Sequence, residues 1–133
     1  MRDYDTAARN PTVALNVAVL GASPKPERYS NKAVALLKAK GHTVFPVHPS
    51  IPEIHGTRAY PRLTHILGPI DTVTVYLAPE KSSAIKDDLL QIKPRRVIFN
   101  PGAENPLLAA ALEQQGSQTL DACTLVLLNT DQF

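Results

Sequence analysis

Residues 16–41, NVAVLGASPKPERYSNKAVALLKAKG, constrain this chain more than any other stretch. A short apolar strand, Asn16–Leu20, runs straight into Gly21-Ala22-Ser23. A basic, proline-marked loop follows, and then an amphipathic helix that Gly41 closes at the left-handed C′ position. Ala33, Val34, Leu36 and Leu37 make the buried stripe of that helix, and Ser30 is placed to cap its start by accepting from an N–H one turn in. A strand that ends in glycine and feeds a helix N-terminus builds an anion cradle, because backbone N–H groups and the helix dipole converge on one spot. The run predicts an α/β sheet and a nucleotide-type ligand with a pyrophosphate.

The chain has 133 residues, enough for one packed domain and too few for two ordinary ones. An N-terminal arm over residues 1–14 and a single domain over 15–133 are expected. A net charge of +2 argues against a nucleic-acid surface. No stretch reaches the length of a membrane span, and the opening MRDYDTAARNPTVAL has no apolar core of a secretory signal. The single cysteine, Cys123, cannot form an internal disulfide, which suits a reducing cytoplasm.

The remaining pattern alternates strands and helices. Thr43–Val47 reads as a second strand, although Pro46 cannot donate to a ladder. A turn-rich loop covers 48–60, and a short helix over 61–67 turns Leu63, Ile66 and Leu67 inward. Thr72–Leu77, TVTVYL, alternates as a half-exposed strand. A helix opens at Pro79, carries Ala84, Ile85, Leu89 and Ile92, and ends at Pro94. Arg96–Phe99 is the fourth strand. Asn105 caps the next helix, with Pro106 at its first position, and Gln118–Leu120 is a fifth strand. For ACTLVLL, 122–128, periodicity does not decide between strand and helix. Strict alternation implies parallel strands with right-handed crossovers. The expected fold is α/β: a doubly wound, three-layer, five-stranded parallel sheet in the order 3-2-1-4-5, with the half-polar TVTVYL at an edge.

Three nucleotide classes compete for the Gly21 turn. A nicotinamide cofactor prefers G-x-G-x-x-G and an acid at the end of strand two. Here Ser23 and Pro26 replace the later glycines, and strand two ends in Val47-His48-Pro49. The phosphate-binding loop of nucleoside-triphosphate hydrolysis, G-x-x-x-x-G-K-[ST], is absent. A nucleotide with an extra phosphate on its ribose fits better, because Lys25, Arg28 and His48 all favour phosphate.

Chemistry beyond binding has little support. His42, His48, His55 and His65 have no metal-ligand spacing, so no metal is expected. Asp71, Asp87, Asp88 and Asp121 are scattered at element ends and form no acid–base pair. Glu104 reads as a helix N-terminal acid rather than a general base. No catalytic residue is expected.

The segments GASPKPERYSNK, VFPVHPSIPEIHG, TVYLAPE, FNPGAEN and ACTLVLL, in this order, resemble the small stand-alone CoA-binding proteins of the Rossmann type. The layout is also similar to the N-terminal domain of the succinyl-CoA synthetase alpha subunit, over roughly residues 14–130. The resemblance implies coenzyme A or acyl-CoA as ligand, in the crevice at the carboxyl ends of strands one and four. Gly21, Ala22 and Ser23 would hold the pyrophosphate through backbone N–H groups and the Ser23 hydroxyl. Lys25 and Arg28 would neutralise phosphates, and Ser30 would add a polar group near the helix start. Val47, His48 and Pro49 would border the adenosine; many relatives have Asn where His48 stands. Leu77, Ala78 and Pro79 would line the groove, and Asn100, Pro101 and Gly102 would flank the pantetheine exit. Cys123 reads as an inert buried thiol; a mixed disulfide with the CoA sulfur would need exposure and a cationic neighbour.

In the synthetase a catalytic histidine comes from a second domain, and Phe133 precedes any such domain, so ligase activity is not expected. The resulting expectation is a non-catalytic, cytoplasmic CoA-binding protein, with a homodimer permitted by an exposed edge strand. The alternatives are the CoA-binding component of a multi-chain acyl-CoA ligase and a NAD(H)-responsive sensor.

Overall fold

The computed structural model describes residues 13–133; residues 1–12 of the expected arm lie outside the described residues. The elements in chain order are β1 (Asn16–Leu20), α1 (Tyr29–Ala39), β2 (Thr43–Val47), β3 (Glu53–Ile54), β4 (Thr57–Arg58), a 3-10 turn (Leu63–His65), β5 (Thr72–Val75), α2 (Pro79–Ala84), α3 (Lys86–Ile92), β6 (Arg96–Phe99), α4 (Pro106–Gln114), β7 (Gln118–Asp121) and α5 (Thr124–Asn129). Five parallel strands form one sheet in the order β2-β1-β5-β6-β7, and β3-β4 is a separate antiparallel hairpin. This is the doubly wound α/β, Rossmann-like sheet that the alternation predicts.

The period of two along each strand divides the core. Ala18, Leu20, Val73, Val75, Val97 and Phe99 point to one face, where Leu63, Leu89, Leu108 and Leu112 cover them. Val17 and Val19 point to the other, against Val34 and Leu37 of α1, Ile54 of the hairpin and Leu128 of α5. Each fully buried Val, Leu or Phe side chain contributes about 1.5–3 kcal/mol, so the sheet is sealed on both sides, as parallel sheets require. Pro46 is tolerated because β2 is an edge strand. Its carbonyl faces away from β1 and accepts from Tyr60 N–H at 2.8 Å, so its nitrogen lies on the side where β1 needs no donor.

The TVTVYL strand departs from expectation. β5 lies inside the sheet, between β1 and β6, and all four of its residues are buried. With the parallel Val47–Tyr60 bridge beside β2 counted as the third strand, the 3-2-1-4-5 order is kept, and TVTVYL is its fourth, interior strand rather than its edge. Buried threonines are affordable here because their hydroxyls are partnered. Thr74 Oγ1 lies 2.7 Å from Thr124 Oγ1 and accepts from Asn100 Nδ2 at 2.7 Å. Thr72 Oγ1 donates to Asp71 Oδ1 and accepts from Arg96 Nε.

Smaller departures share one cause, helices that stop or break early. The 3-10 turn ends at His65 and Ile66 is extended, so the next side chain points the opposite way and Leu67 is 91 % exposed. The helix expected from Pro79 to Pro94 breaks at Ile85, whose backbone leaves the helical region, and Ala84 is exposed. The undecided ACTLVLL run forms α5.

Candidate functional site

In an open α/β sheet, ligands bind outside the carboxyl ends of the strands, where neighbouring connections leave in opposite directions. Here that point lies between β1 and β5, because the chain leaves β1 toward β2 and leaves β5 toward β6. A cavity of about 830 Å³ opens there, within the range of about 300–1,000 Å³ usual for small-molecule sites. With β5 next to β1, the crevice expected between β1 and the Arg96–Phe99 strand lies between β1 and β5.

The β1–α1 corner forms the inner wall. Gly21 has φ +88°, and a Cβ there would meet Leu77 Cδ2 at 2.9 Å, so both the turn and the close approach require glycine. Ala22 N–H donates to the Val47 carbonyl at 3.1 Å; it ties the turn to β2 and is not available as a phosphate donor. Ser23 Oγ accepts from Lys25 N–H at 3.1 Å, which leaves the hydroxyl proton to donate.

Helix α1 starts two residues earlier than expected. Arg28 is its N-cap, in extended conformation, and no side chain caps it. Ser30 therefore sits inside the first turn and cannot take the capping role. The first N–H groups of α1 are orphans by construction, and Arg28, Tyr29 and Ser30 of that end line the cavity.

Nine of the expected residues line this one cavity: Gly21, Ala22, Ser23, Arg28, Ser30, Val47, His48, Pro49 and Leu77. His48 Nδ1 accepts from the N–H groups of Ser50 and Ile51 at 3.1 and 3.0 Å. That bond pattern leaves Nε2 to carry the ring proton, so His48 presents a hydrogen-bond donor to the wall.

Lys25, Ala78, Pro79, Asn100, Pro101 and Gly102 do not line it. Lys25 is exposed on the loop. Ala78 and Pro79 begin α2. Asn100 is buried and fully engaged: Nδ2 donates to Thr74 Oγ1 and to the Val75 carbonyl, and Oδ1 accepts from Thr124 N–H. Gly102 N–H donates to Glu104 Oε1 at 2.9 Å.

Several lining residues had no motif to announce them. Pro61, Arg62 and Leu63 come from the segment after the hairpin, Lys81 from α2, Asp88 from α3 and Ile85 from the break between those helices. Arg62 forks onto Asp88, with Nε and one terminal nitrogen at 3.1 and 2.6 Å from the two carboxylate oxygens. Only their charges in an otherwise ordinary amphipathic pattern could have flagged them.

Tyr76 also lines the cavity. Its hydroxyl is buried with no hydrogen-bond partner among the described residues, and burial pushes it up to about 12. It stays protonated and is no base at neutral pH. Cys123 is half-buried at the start of α5 and lies outside the cavity. Among the described residues no group of three potential metal ligands stands together, and no helix is long and apolar enough to cross a membrane.

Residues 15–129 match the family model described as a CoA binding domain. The chain is 29% identical over 111 residues to the uncharacterized protein YneT of Bacillus subtilis (strain 168), covering 83% of this chain and 82% of that one. A crystal structure of an uncharacterized protein aligns with TM-score 0.85 at 36% identity, over 92% of this chain and 100% of the other. The dinucleotide-forming acetyl-coenzyme A synthetase 1 of Ca. Korarchaeum cryptofilum shares the fold, with TM-score 0.69 at 21% identity, over 90% of this chain and 27% of that larger one.

Proposed function

Because the chain belongs to the CoA-binding domain family, we propose that it binds coenzyme A or an acyl-CoA in the crevice at the carboxyl ends of β1 and β5, without catalysis of its own. The observation that carries this reading is the cavity that opens onto both the Gly21-Ala22-Ser23 turn and the uncapped start of α1. An anion placed there meets orphan N–H groups, the positive end of the helix dipole, the Ser23 hydroxyl and the Arg28 guanidinium. The adenosine lies against Val47, His48 and Pro49, with the His48 ring donating through Nε2. Leu77, Leu63 and Ile85 supply the apolar wall.

In this reading the binding unit spans residues 15–133 and works in the cytoplasm, as the lone thiol suggests. Lys25 acts at longer range, from the loop above the cavity. A homodimer, if it forms, uses the exposed edge of β7 and is measured by light scattering.

The test is titration calorimetry of ligand-stripped protein with CoA, 3′-dephospho-CoA and NADH. CoA binds, and dephospho-CoA binds more weakly because one ribose phosphate is missing. Binding of NADH without binding of CoA overturns the reading.

A further inference from the structure

Asn31 is 5 % exposed and lies behind the cavity wall rather than on it. Its Nδ2 donates to the Ser23 carbonyl at 2.9 Å, and its Oδ1 meets His55 Nε2 at 2.7 Å. A side-chain amide can in principle exchange its two ends. A carbonyl acceptor on one side and a ring N–H on the other admit only one orientation, and His55 must then carry its proton on Nε2.

His55 is itself held from several directions. It sits at the tip of the β3–β4 hairpin with φ +52°, where the left-handed conformation suits a tight hairpin turn followed by Gly56. Its carbonyl accepts from Lys38 Nζ of α1 at 2.6 Å. The preceding residue, Ile54, is buried with Val34 and Leu37. The hairpin is thus bolted to α1 and reaches the Gly21-Ala22-Ser23 turn through Asn31.

The Ser23 carbonyl belongs to the peptide group before Pro24, which has no N–H to anchor it. The Asn31 bond is what fixes that carbonyl, and with it the direction in which the loop leaves toward Lys25 and Arg28.

We propose that Asn31, locked in orientation by His55, is the positioning residue of the phosphate-binding turn, so that the β3–β4 hairpin sets affinity for the ligand's pyrophosphate without touching it. The proposal rests on the reading that this turn takes a pyrophosphate.

Two variants separate the links. Asn31→Leu keeps the heavy-atom count and the branch at Cγ and removes both hydrogen bonds. His55→Asn keeps a residue that tolerates positive φ and removes the ring. Two ligands are titrated, CoA and adenosine 3′-monophosphate, which has no pyrophosphate, and the Ser23 and Lys25 amide resonances are followed in the unliganded proteins. Asn31→Leu weakens CoA about fivefold and His55→Asn about twofold, as loss of one neutral hydrogen bond predicts. Both leave adenosine 3′-monophosphate within about twofold, and both shift the Ser23 and Lys25 amides. Equal losses for the two ligands overturn the positioning role, as does unchanged CoA affinity with stationary amides. If wild-type protein binds no CoA, the functional reading fails on its own; the amides still decide the coupling, because stationary Ser23 and Lys25 resonances in His55→Asn overturn it.

Discussion

Two strand-to-helix corners on the same edge of the sheet are built in opposite ways. At the β1–α1 corner the helix begins without a side-chain cap and faces a cavity. At the β6–α4 corner nearly every polar group is closed off. Asn105 accepts from Leu108 N–H as the α4 cap, and its Nδ2 reaches the Pro79 carbonyl, Ser82 Oγ and Ser83 Oγ. Asn100 joins β5, β6 and α5 through three hydrogen bonds. A helix start left open costs stability unless something external fills it. In the proposed reading, the contrast separates a corner kept for a ligand from one that holds the sheet together.

The largest expected effect belongs to the closed corner. Asn100→Ala leaves Thr124 N–H without its acceptor and removes two donors from buried acceptors, so it destabilises by roughly 2–4 kcal/mol. Urea denaturation measures it. CoA affinity of the folded fraction stays at the wild-type value. A variant of native stability with weakened CoA binding would instead make Asn100 a ligand contact and break the contrast.

The open corner behaves in reverse. Lys25→Glu with Arg28→Glu weakens CoA about a hundredfold, through the loss of one charge-assisted contact and the reversal of the nearby charge, and changes stability by less than about 0.5 kcal/mol. Arg28 lines the cavity and Lys25 does not. Arg28→Glu alone therefore carries most of the loss, and Lys25→Glu contributes a few-fold that fades as salt is raised. Equal single effects at high salt would place Lys25 against the ligand and enlarge the site beyond the cavity.

The sequence made one corner legible and put the other, which lies outside the cavity, on the same footing. The β1–α1 run announces itself because strand, glycine turn and helix are contiguous, and short-range geometry dictates what they build. The Asn100-Pro101-Gly102 turn looks equivalent in sequence, and only the sheet order distinguishes them. That order depends on β5 lying between β1 and β6, which an alternating Thr/Val pattern argues against until the threonine hydroxyls are seen to be partnered across elements. Asn105 was legible as a cap because its partner is three residues away. Arg62, Lys81 and Asp88 were not, because the segments that bring them to one wall are joined only in space. Nor was the engagement of Ala22 N–H with Val47, a bond between strand ends that no local motif encodes.

The finest test of the contrast compares two small polar residues in the first turns of α1 and α4. Asn105 is the α4 N-cap and accepts from Leu108 N–H, so Asn105→Ala costs about 1 kcal/mol for the cap alone. The loss of its bonds to Ser82 and Ser83 adds to that. Ser30 lies one turn position inside α1 and caps nothing, so Ser30→Ala changes stability by less than about 0.5 kcal/mol. Its effect falls on ligand instead: a cavity-lining hydroxyl is lost, and CoA weakens by the few-fold that one neutral hydrogen bond supplies. Thermal unfolding with and without CoA at one fixed, saturating concentration reads both terms in one experiment, because a ligand that binds only the folded state raises Tm by an amount that grows with the logarithm of its affinity. Ser30→Ala matches wild type without CoA and gains less on adding it. Asn105→Ala starts lower and gains as much as wild type. If Ser30→Ala also starts lower, the α1 start is held by its own side chains, and the difference between the two corners narrows to the cavity itself.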